Sequence, residues 1–165
     1  MSWTLKSGEY VIDRYNSHIH ENVTEHLIEA LPQIESLRRS LVIEMIEFPE
    51  VIGNRSCVST DSTDRIIFAK RPKRFGLTRF VMDRFSEPCR TLVVILKSDG
   101  AGVYIVISAF VGKRAEPEPW DDRSFSQQED PHEAKLRSRR FWAQNALVWG
   151  EEEIISGTET IRCPW

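Results

Sequence analysis

From Arg55 to Val111 the chain is a succession of short segments rich in β-branched and aromatic residues, each closed by turn chemistry, which leaves little room for anything but a sheet. The segments are Arg55 to Thr60, Asp64 to Lys70, Leu77 to Asp83, Arg90 to Lys97 and Gly102 to Val111. The breaks are Thr60-Asp-Ser-Thr63, Arg71-Pro-Lys-Arg-Phe-Gly76, Ser86-Glu-Pro88 and Ser98-Asp-Gly-Ala-Gly102. Within the last of these, Asp99-Gly100 is the clearest hairpin signal in the chain. Consecutive strands joined by tight turns predict an antiparallel meander.

Helical periods flank this block. Tyr10 to Tyr15 alternates weakly and reads as a short strand. Asn22 or Thr24 can cap a short helix through Leu31, and Pro32, whose missing N–H is not needed in a first turn, opens a second. In that second helix Ile34, Leu37, Leu41, Met45 and Phe48 recur at steps of three and four and make one apolar face, closed by Pro49. Ala115 to Pro131, with Pro117 and Pro119 among acids, reads as a loop. Glu133 to Val148 is expected as a last amphipathic helix with Phe141, Trp142, Ala146 and Leu147 on one side. The predicted fold class is therefore α+β: N-terminal helices packed on one four- to five-stranded antiparallel meander sheet, with an additional C-terminal helix. A chain of 165 residues is expected to form a single domain, with 1–16 as an N-terminal segment, 115–131 as a long polar loop and 150–165 as a tail.

Composition excludes several classes. With 41% hydrophobic and 28% charged residues, the chain is neither disordered nor fibrous in character. Its longest apolar runs, Leu92 to Leu96 and Val103 to Gly112, are far shorter than the roughly 20 residues of a membrane helix. The N-terminus shows no secretory pattern, so a cytoplasmic location is expected and no membrane partner. Cys57, Cys89 and Cys163 lack any C-x-x-C spacing and read as reduced thiols with packing roles. Asn22-Val-Thr24 matches a glycosylation sequon but, without a secretory route, reads as helix capping.

The net charge of −3 hides a polarity along the chain. From Asp64 to Arg90 eight Lys or Arg residues face three acids, whereas from Glu116 to Trp165 eleven acids face six Lys or Arg. A basic middle in an acidic protein is a local field that can attract a phosphate-bearing partner. The same residues can equally be a solvated hairpin whose cations guard sheet edges.

Three of the four histidines, His18, His20 and His26, lie within nine residues. Around them a wider pattern stands out: His18-Ile19, His26-Leu27 opening a helical stretch, "IEFPEVI" from Ile46 to Ile52, "RIIFAK" from Arg65 to Lys70, then "TLVVILK" and "YIVISAF". This order, over about Ser17 to Phe110, resembles the BECR superfamily of small nucleases, which gathers barnase-like, EndoU-like and RelE-like ribonucleases with toxin and phage-encoded branches. The resemblance implies a metal-independent ribonuclease with helices packed on a four-stranded antiparallel sheet and the active site across the sheet face. It places the family's N-terminal histidine on His18, or on His20 in the alternative register, its strand-end basic residue on Lys70, and its hydroxyl residue on Ser108. The chain departs from the family in having Leu27-Ile28 after the second histidine, where Pro-Glu is frequent, and serine at position 108, where threonine is commoner.

Such chemistry asks for few groups, because the nucleophile is the substrate's own 2′-OH. A base takes its proton, an acid protonates the leaving 5′ oxygen, and cations hold the charge growing on the phosphoryl oxygens. Histidine serves the first two roles near neutral pH. The expected catalytic set is His18, His20, Lys70 and Ser108, with Arg65 and Arg71 binding phosphate and Trp142 stacking on a base. Asn145, one helical turn from Trp142, is a site residue or a capping residue. Each also has a structural reading: His26 shares a helical face with Val23, Leu27 and Ala30, Ser108 can be a satisfied strand hydroxyl, and Trp142 can cover the sheet. His18 and His20 supply two metal ligands at most and no spacing adds a third, so no metal and no cofactor is expected. The expected function is cleavage of RNA, with an antitoxin or immunity-type protein as a further partner; the alternative is a non-catalytic RNA- or protein-binding module.

Overall fold

The computed structural model of the chain describes residues 3–13 and 21–165, the side chains of Glu21 and Asn22 excepted. These residues form two compact units, Met1–Asn54 with Pro88–Arg114 and Arg55–Glu87 with Ala115–Trp165. The first opens with β1 (Trp3–Thr4), β2 (Tyr10–Ile12), α1 (Glu21–Ala30), a single 3-10 turn over Leu31–Gln33, and β3 (Leu41–Glu47). The chain then passes through β4 (Gly53–Arg55) into the second unit, with β5 (Cys57–Ser59), β6 (Ile66–Lys70) and β7 (Leu77–Val81), and returns through β8 (Glu87–Cys89). β9 (Thr91–Ser98) and β10 (Val103–Val111) complete the first unit; α2 (Asp122–Ser126), α3 (Pro131–Gln144) and β11 (Asn145–Val148) complete the second.

In the first unit five strands run in the order β1-β2-β10-β9-β3. The β9–β10 hairpin turns at Asp99-Gly100 as expected, with Asp99 Oδ1 accepting from Ala101 N at 2.8 Å and Gly100 at a φ of 86°, where glycine has no steric penalty. β2 joins the far side of β10 in parallel. Val23, Leu27 and Ala30, at steps of four and three, give α1 one apolar stripe, and Leu31 and Ile34 extend it. This stripe meets Val42, Leu92, Leu96 and Val106 in one core, each burial of this size being worth about 1.5–3 kcal/mol. His26 stands half-buried beside the stripe, edge-on to Phe48 at 5.3 Å between ring centroids.

The turn after the 3-10 segment is strained. Leu37 and Arg38 both have left-handed backbones, φ 51° and 58°, an arrangement that must be held by its surroundings. Ser36 supplies the hold: its N–H donates to Ser7 Oγ at 2.9 Å, its hydroxyl donates to Glu9, and its oxygen accepts from Arg38 N at 3.2 Å. The Ser36 hydroxyl, and then that of Ser7, hold the Glu9 carboxyl below its ordinary value of 4.5. A depressed folded value stabilises the fold above pH 4.5 and ceases to do so as pH falls through it. The wild type is therefore expected to lose melting temperature more steeply than Glu9→Gln below pH 4.5, and parallel melting curves across that window would remove the role given to Glu9.

In the second unit four strands run in the order β5-β11-β7-β6, β11 being antiparallel to β5 and parallel to β7. Successive residues of its strands fall into different clusters: Val58, Val81, Ala146 and Val148 in one, Ala69, Phe80, Trp142 and Leu147 in the other. All four β11 residues are buried, which marks a strand covered on both faces. Asp130 caps α3 by accepting from Glu133 N at 3.1 Å, with Pro131 in the first turn. Ser138 Oγ and Trp142 Nε1 of α3 donate to Pro117 O and Glu116 O, fixing the proline-rich segment to the helix. The residues after Gly150 run along the outer edge of β6, where Phe68 and Thr160 exchange both backbone hydrogen bonds at 2.8 Å.

This architecture overturns the predicted α+β class. Strand outweighs helix, 34% against 19%, and the strands form three sheets, β4 and β8 pairing as the third. Among the described residues one α-helix, not two, lies ahead of β3, and it follows β1 and β2; the sheets are no single antiparallel meander. Pro32 does open a helical turn, but it ends at Gln33, and Leu41–Glu47, expected as helix, is β3. The spacing of Leu41, Met45 and Phe48 fits a helix, yet Val42, Ile43 and Ile46 are β-branched and β9 offers a full antiparallel ladder from Leu41↔Lys97 to Glu47↔Thr91. The last helix stops four residues short of its expected end, because Asn145 to Val148 complete the second sheet. Within the expected loop over 115–131, Asp122–Ser126 form α2, capped by Asp121.

Candidate nucleic-acid interface

The break Arg71-Pro-Lys-Arg-Phe-Gly76 forms the tip of the β6–β7 hairpin, whose ladder closes at Lys70↔Leu77. Its base is held by Arg71, which is 16% exposed: Nη2 meets Glu118 Oε2 at 2.8 Å and Nε donates to Thr78 Oγ1 at 3.1 Å. Its far end is held by Gly76, which lies against Trp120. A Cβ on residue 76 would fall 2.6 Å from Trp120 Cδ1, inside contact distance. Gly76→Ala is thus expected to destabilise the second unit by about 1–3 kcal/mol through overpacking and to shift tryptophan emission. An unchanged urea midpoint in that variant would mean that the ring can move aside.

Between these anchors the tip presents Lys73, Arg74 and Phe75. Phe75 is 91% exposed, and Lys73 holds a left-handed φ of 62°. Both cations are exposed and neither has a carboxylate within ion-pair distance among the described residues.

Three of the six other cations of the basic stretch are spent on ion pairs. Arg65 pairs with Asp83 at 3.5 Å, Arg84 with Asp64 and Glu87 at 3.1 and 3.3 Å, and Arg71 with Glu118. Arg79 instead directs Nη1 to the neutral oxygens of Thr60 and Asn145, each at 2.9 Å. Lys70 is half-buried at the end of β6, with its backbone N–H donating to Thr158 Oγ1 at 3.0 Å.

A cleft of about 450 Å³ opens elsewhere in the second unit, bordered by Phe68, Arg79, Arg139, Trp142, Cys163 and Trp165. Trp165 meets Phe68 edge-on at 5.2 Å. The first unit holds a larger cleft, about 570 Å³, beside Glu9, Ser36, Arg38 and Tyr104. Its carboxylate is engaged by the hydroxyls that hold the Ser36 to Arg38 turn, so that cleft reads as structural.

The residues singled out in the sequence are distributed as follows. His18 and His20 lie outside the described residues. Ser108 belongs to the first unit, half-buried on β10 where a β-bulge shifts the register between Val106 and Ser108. Arg65, Lys70, Arg71, Trp142 and Asn145 belong to the second unit. Trp142 is buried against Ala69, Phe80 and Leu147 and also borders the cleft. Asn145 takes the capping role, its Nδ2 donating to Phe141 O at 2.9 Å at the end of α3. Sequence reasoning did not single out Phe75, Arg79, Arg139 or Trp165. The juxtaposition of Lys73, Arg74 and Phe75 in a turn was visible in the sequence; the approach of β7, α3 and the C-terminal segment was not.

No family model and no curated protein matches the chain. A solved structure, a conserved hypothetical protein from Toxoplasma gondii ME49, is similar at a TM-score of 0.53 and 14% identity, over 83% of this chain and 91% of that one. At that identity the likeness speaks to the fold alone.

Proposed function

We propose that the protein binds single-stranded RNA through the tip of the β6–β7 hairpin. The observation that carries this reading is the tip itself: two cations without carboxylate partners among the described residues, beside an aromatic ring that is 91% exposed, in a chain of net charge −3. Cations follow a phosphate backbone and an exposed ring stacks on a base, which is the combination single-stranded nucleic acids require. Anchoring by Arg71 and Gly76 supports the reading further, because a tip ordered before binding loses little entropy on contact.

The ribonuclease activity implied by the BECR resemblance rests on His18 or His20 acting on the same RNA. Two measurements test the pair of statements. Anisotropy of a labelled mixed-sequence RNA across a salt series is expected to give an affinity that falls steeply with salt, and binding indifferent to salt would defeat the RNA reading. Product analysis in excess EDTA, beside His18→Ala and His20→Ala, separates the activities: cleavage lost in one folded variant makes that histidine catalytic, whereas intact RNA with normal binding leaves a binding module.

A further inference from the structure

We propose that the cleft bordered by Phe68, Arg79, Arg139, Trp142 and Trp165 is a second ligand site, built for an anion carried on an aromatic ring system, of which a nucleoside monophosphate is the simplest case. This goes beyond the hairpin reading and does not depend on it.

Arg79 is fixed at the cleft by two hydrogen bonds. Its Nη1 donates to Thr60 Oγ1 and to the Asn145 carbonyl, both 2.9 Å away, and both acceptors are neutral. These bonds fix the guanidinium plane but leave its charge unpaired, since no carboxylate lies within ion-pair distance among the described residues. The Nε–H and both Nη2 hydrogens have no acceptor there either, and these form the fork that matches a phosphate or carboxylate. Arg79 is also half-buried, and loss of solvent lowers its pKa while leaving it charged at neutral pH. A half-buried cation whose fork is unused within the protein is placed to receive an anion.

The surroundings narrow the ligand. Arg139, exposed on α3 and likewise without an ion pair among the described residues, adds a second cation, and no acid borders the cleft. The remaining wall is largely apolar, with Phe68, Trp142 and Trp165 beside Ile66, Ala143 and Ile161. Phe68 and Trp142 are each only 3% exposed and back the wall, so the ring within reach of a ligand is that of Trp165, half-buried and edge-on to Phe68. An inorganic anion would use the two guanidinium groups and leave Trp165 unused; an uncharged ring would do the reverse. A ligand carrying both uses the whole wall, and the volume lies in the range of small-molecule sites.

Cys163 is the exposed thiol and borders the cleft, whereas Cys57 is half-buried and Cys89 buried, so alkylation of Cys163 by iodoacetamide reports occupancy. Uridine and adenosine 5′-monophosphate are expected to slow that alkylation several-fold, while inorganic phosphate and uridine at equal concentration leave it unchanged. Arg139→Gln, which removes no internal bond among the described residues, is expected to abolish the protection, and Arg79→Lys, which keeps charge but loses the fork, to weaken it. A variant with Lys73, Arg74 and Phe75 all changed to alanine is expected to keep it in full. Equal protection by phosphate alone would overturn the aromatic requirement. Absence of protection by both nucleotides, or its loss in the hairpin variant, would overturn the site.

Discussion

Glu118→Ala is expected to lower the stability of the second unit by about 3–5 kcal/mol, the cost of leaving a buried partner charge uncompensated. The Arg71–Glu118 pair is short, 2.8 Å, and its side chains are only 16% and 8% exposed. Glu118 Oε1 is buried with no hydrogen-bond partner among the described residues, so its charge relies on Arg71. Glu152 approaches the same guanidinium at 3.8 Å but is 38% exposed, and Glu152→Ala is expected to cost no more than about 0.5 kcal/mol. Urea unfolding of the two variants side by side decides the matter; equal midpoints would show that Arg71 is satisfied by solvent. Joint replacement, Arg71→Met with Glu118→Leu, is expected to recover part of the loss, because the isolated charge and not the absent pair is what destabilises. Recovery is incomplete because Thr78, fully buried, also loses the Arg71 Nε–H that bonds its hydroxyl.

Phe75→Ala is expected to weaken binding of single-stranded RNA by about 1–3 kcal/mol, the range for one base–aromatic stack, with no change in stability because the ring is already in solvent. Lys73→Ala and Arg74→Ala act differently. Each is expected to reduce the slope of log affinity against log salt by about 0.7, the single-strand value per phosphate contact, largely independent of RNA sequence. The two kinds of variant therefore separate stacking from charge in one titration. If Phe75→Ala binds as well as the wild type while both charge variants weaken it, the hairpin holds the backbone only. If none of the three changes affinity, RNA is bound elsewhere or not at all. Glu118→Ala adds a link between the two sets, since loosening Arg71 releases the base of the same hairpin and is expected to weaken RNA binding without touching a tip residue.

Parts of the fold were legible where one local signal had no rival. Asp99-Gly100 gave its turn because a left-handed glycine beside a side-chain acceptor has few other uses. Val23, Leu27 and Ala30 marked the buried stripe of α1, and the break from Arg71 to Gly76 marked a hairpin. Errors arose where helix and strand periods overlapped. Leu41 and Met45 share a helical face, but they also alternate along a strand, and in the structure both are exposed on β3 while Val42 between them is buried. Asn145 to Val148 continue the apolar period of α3, yet they are drawn out as a strand between β5 and β7. Local propensity cannot register that a ladder distant in sequence has a vacancy.

The candidate sites divide along the same line. The amino-acid sequence alone determined the chemistry available: a basic stretch in an acidic chain, an aromatic residue set among cations at a turn, and short β-rich segments that had to pair. Tertiary structure decided which of those charges remained for a partner. Arg65, Arg71 and Arg84 found carboxylates, the second at Glu118, far along the chain, so only part of the basic stretch faces outward uncompensated. It also decided that Arg79, Arg139, Trp142 and Trp165, spread from β7 to the last residue, border one cleft. The physical reason is that charge and hydrophobicity are properties of residues, whereas pairing and burial are properties of neighbours, and the neighbours are chosen by long-range strand registers that no local window contains.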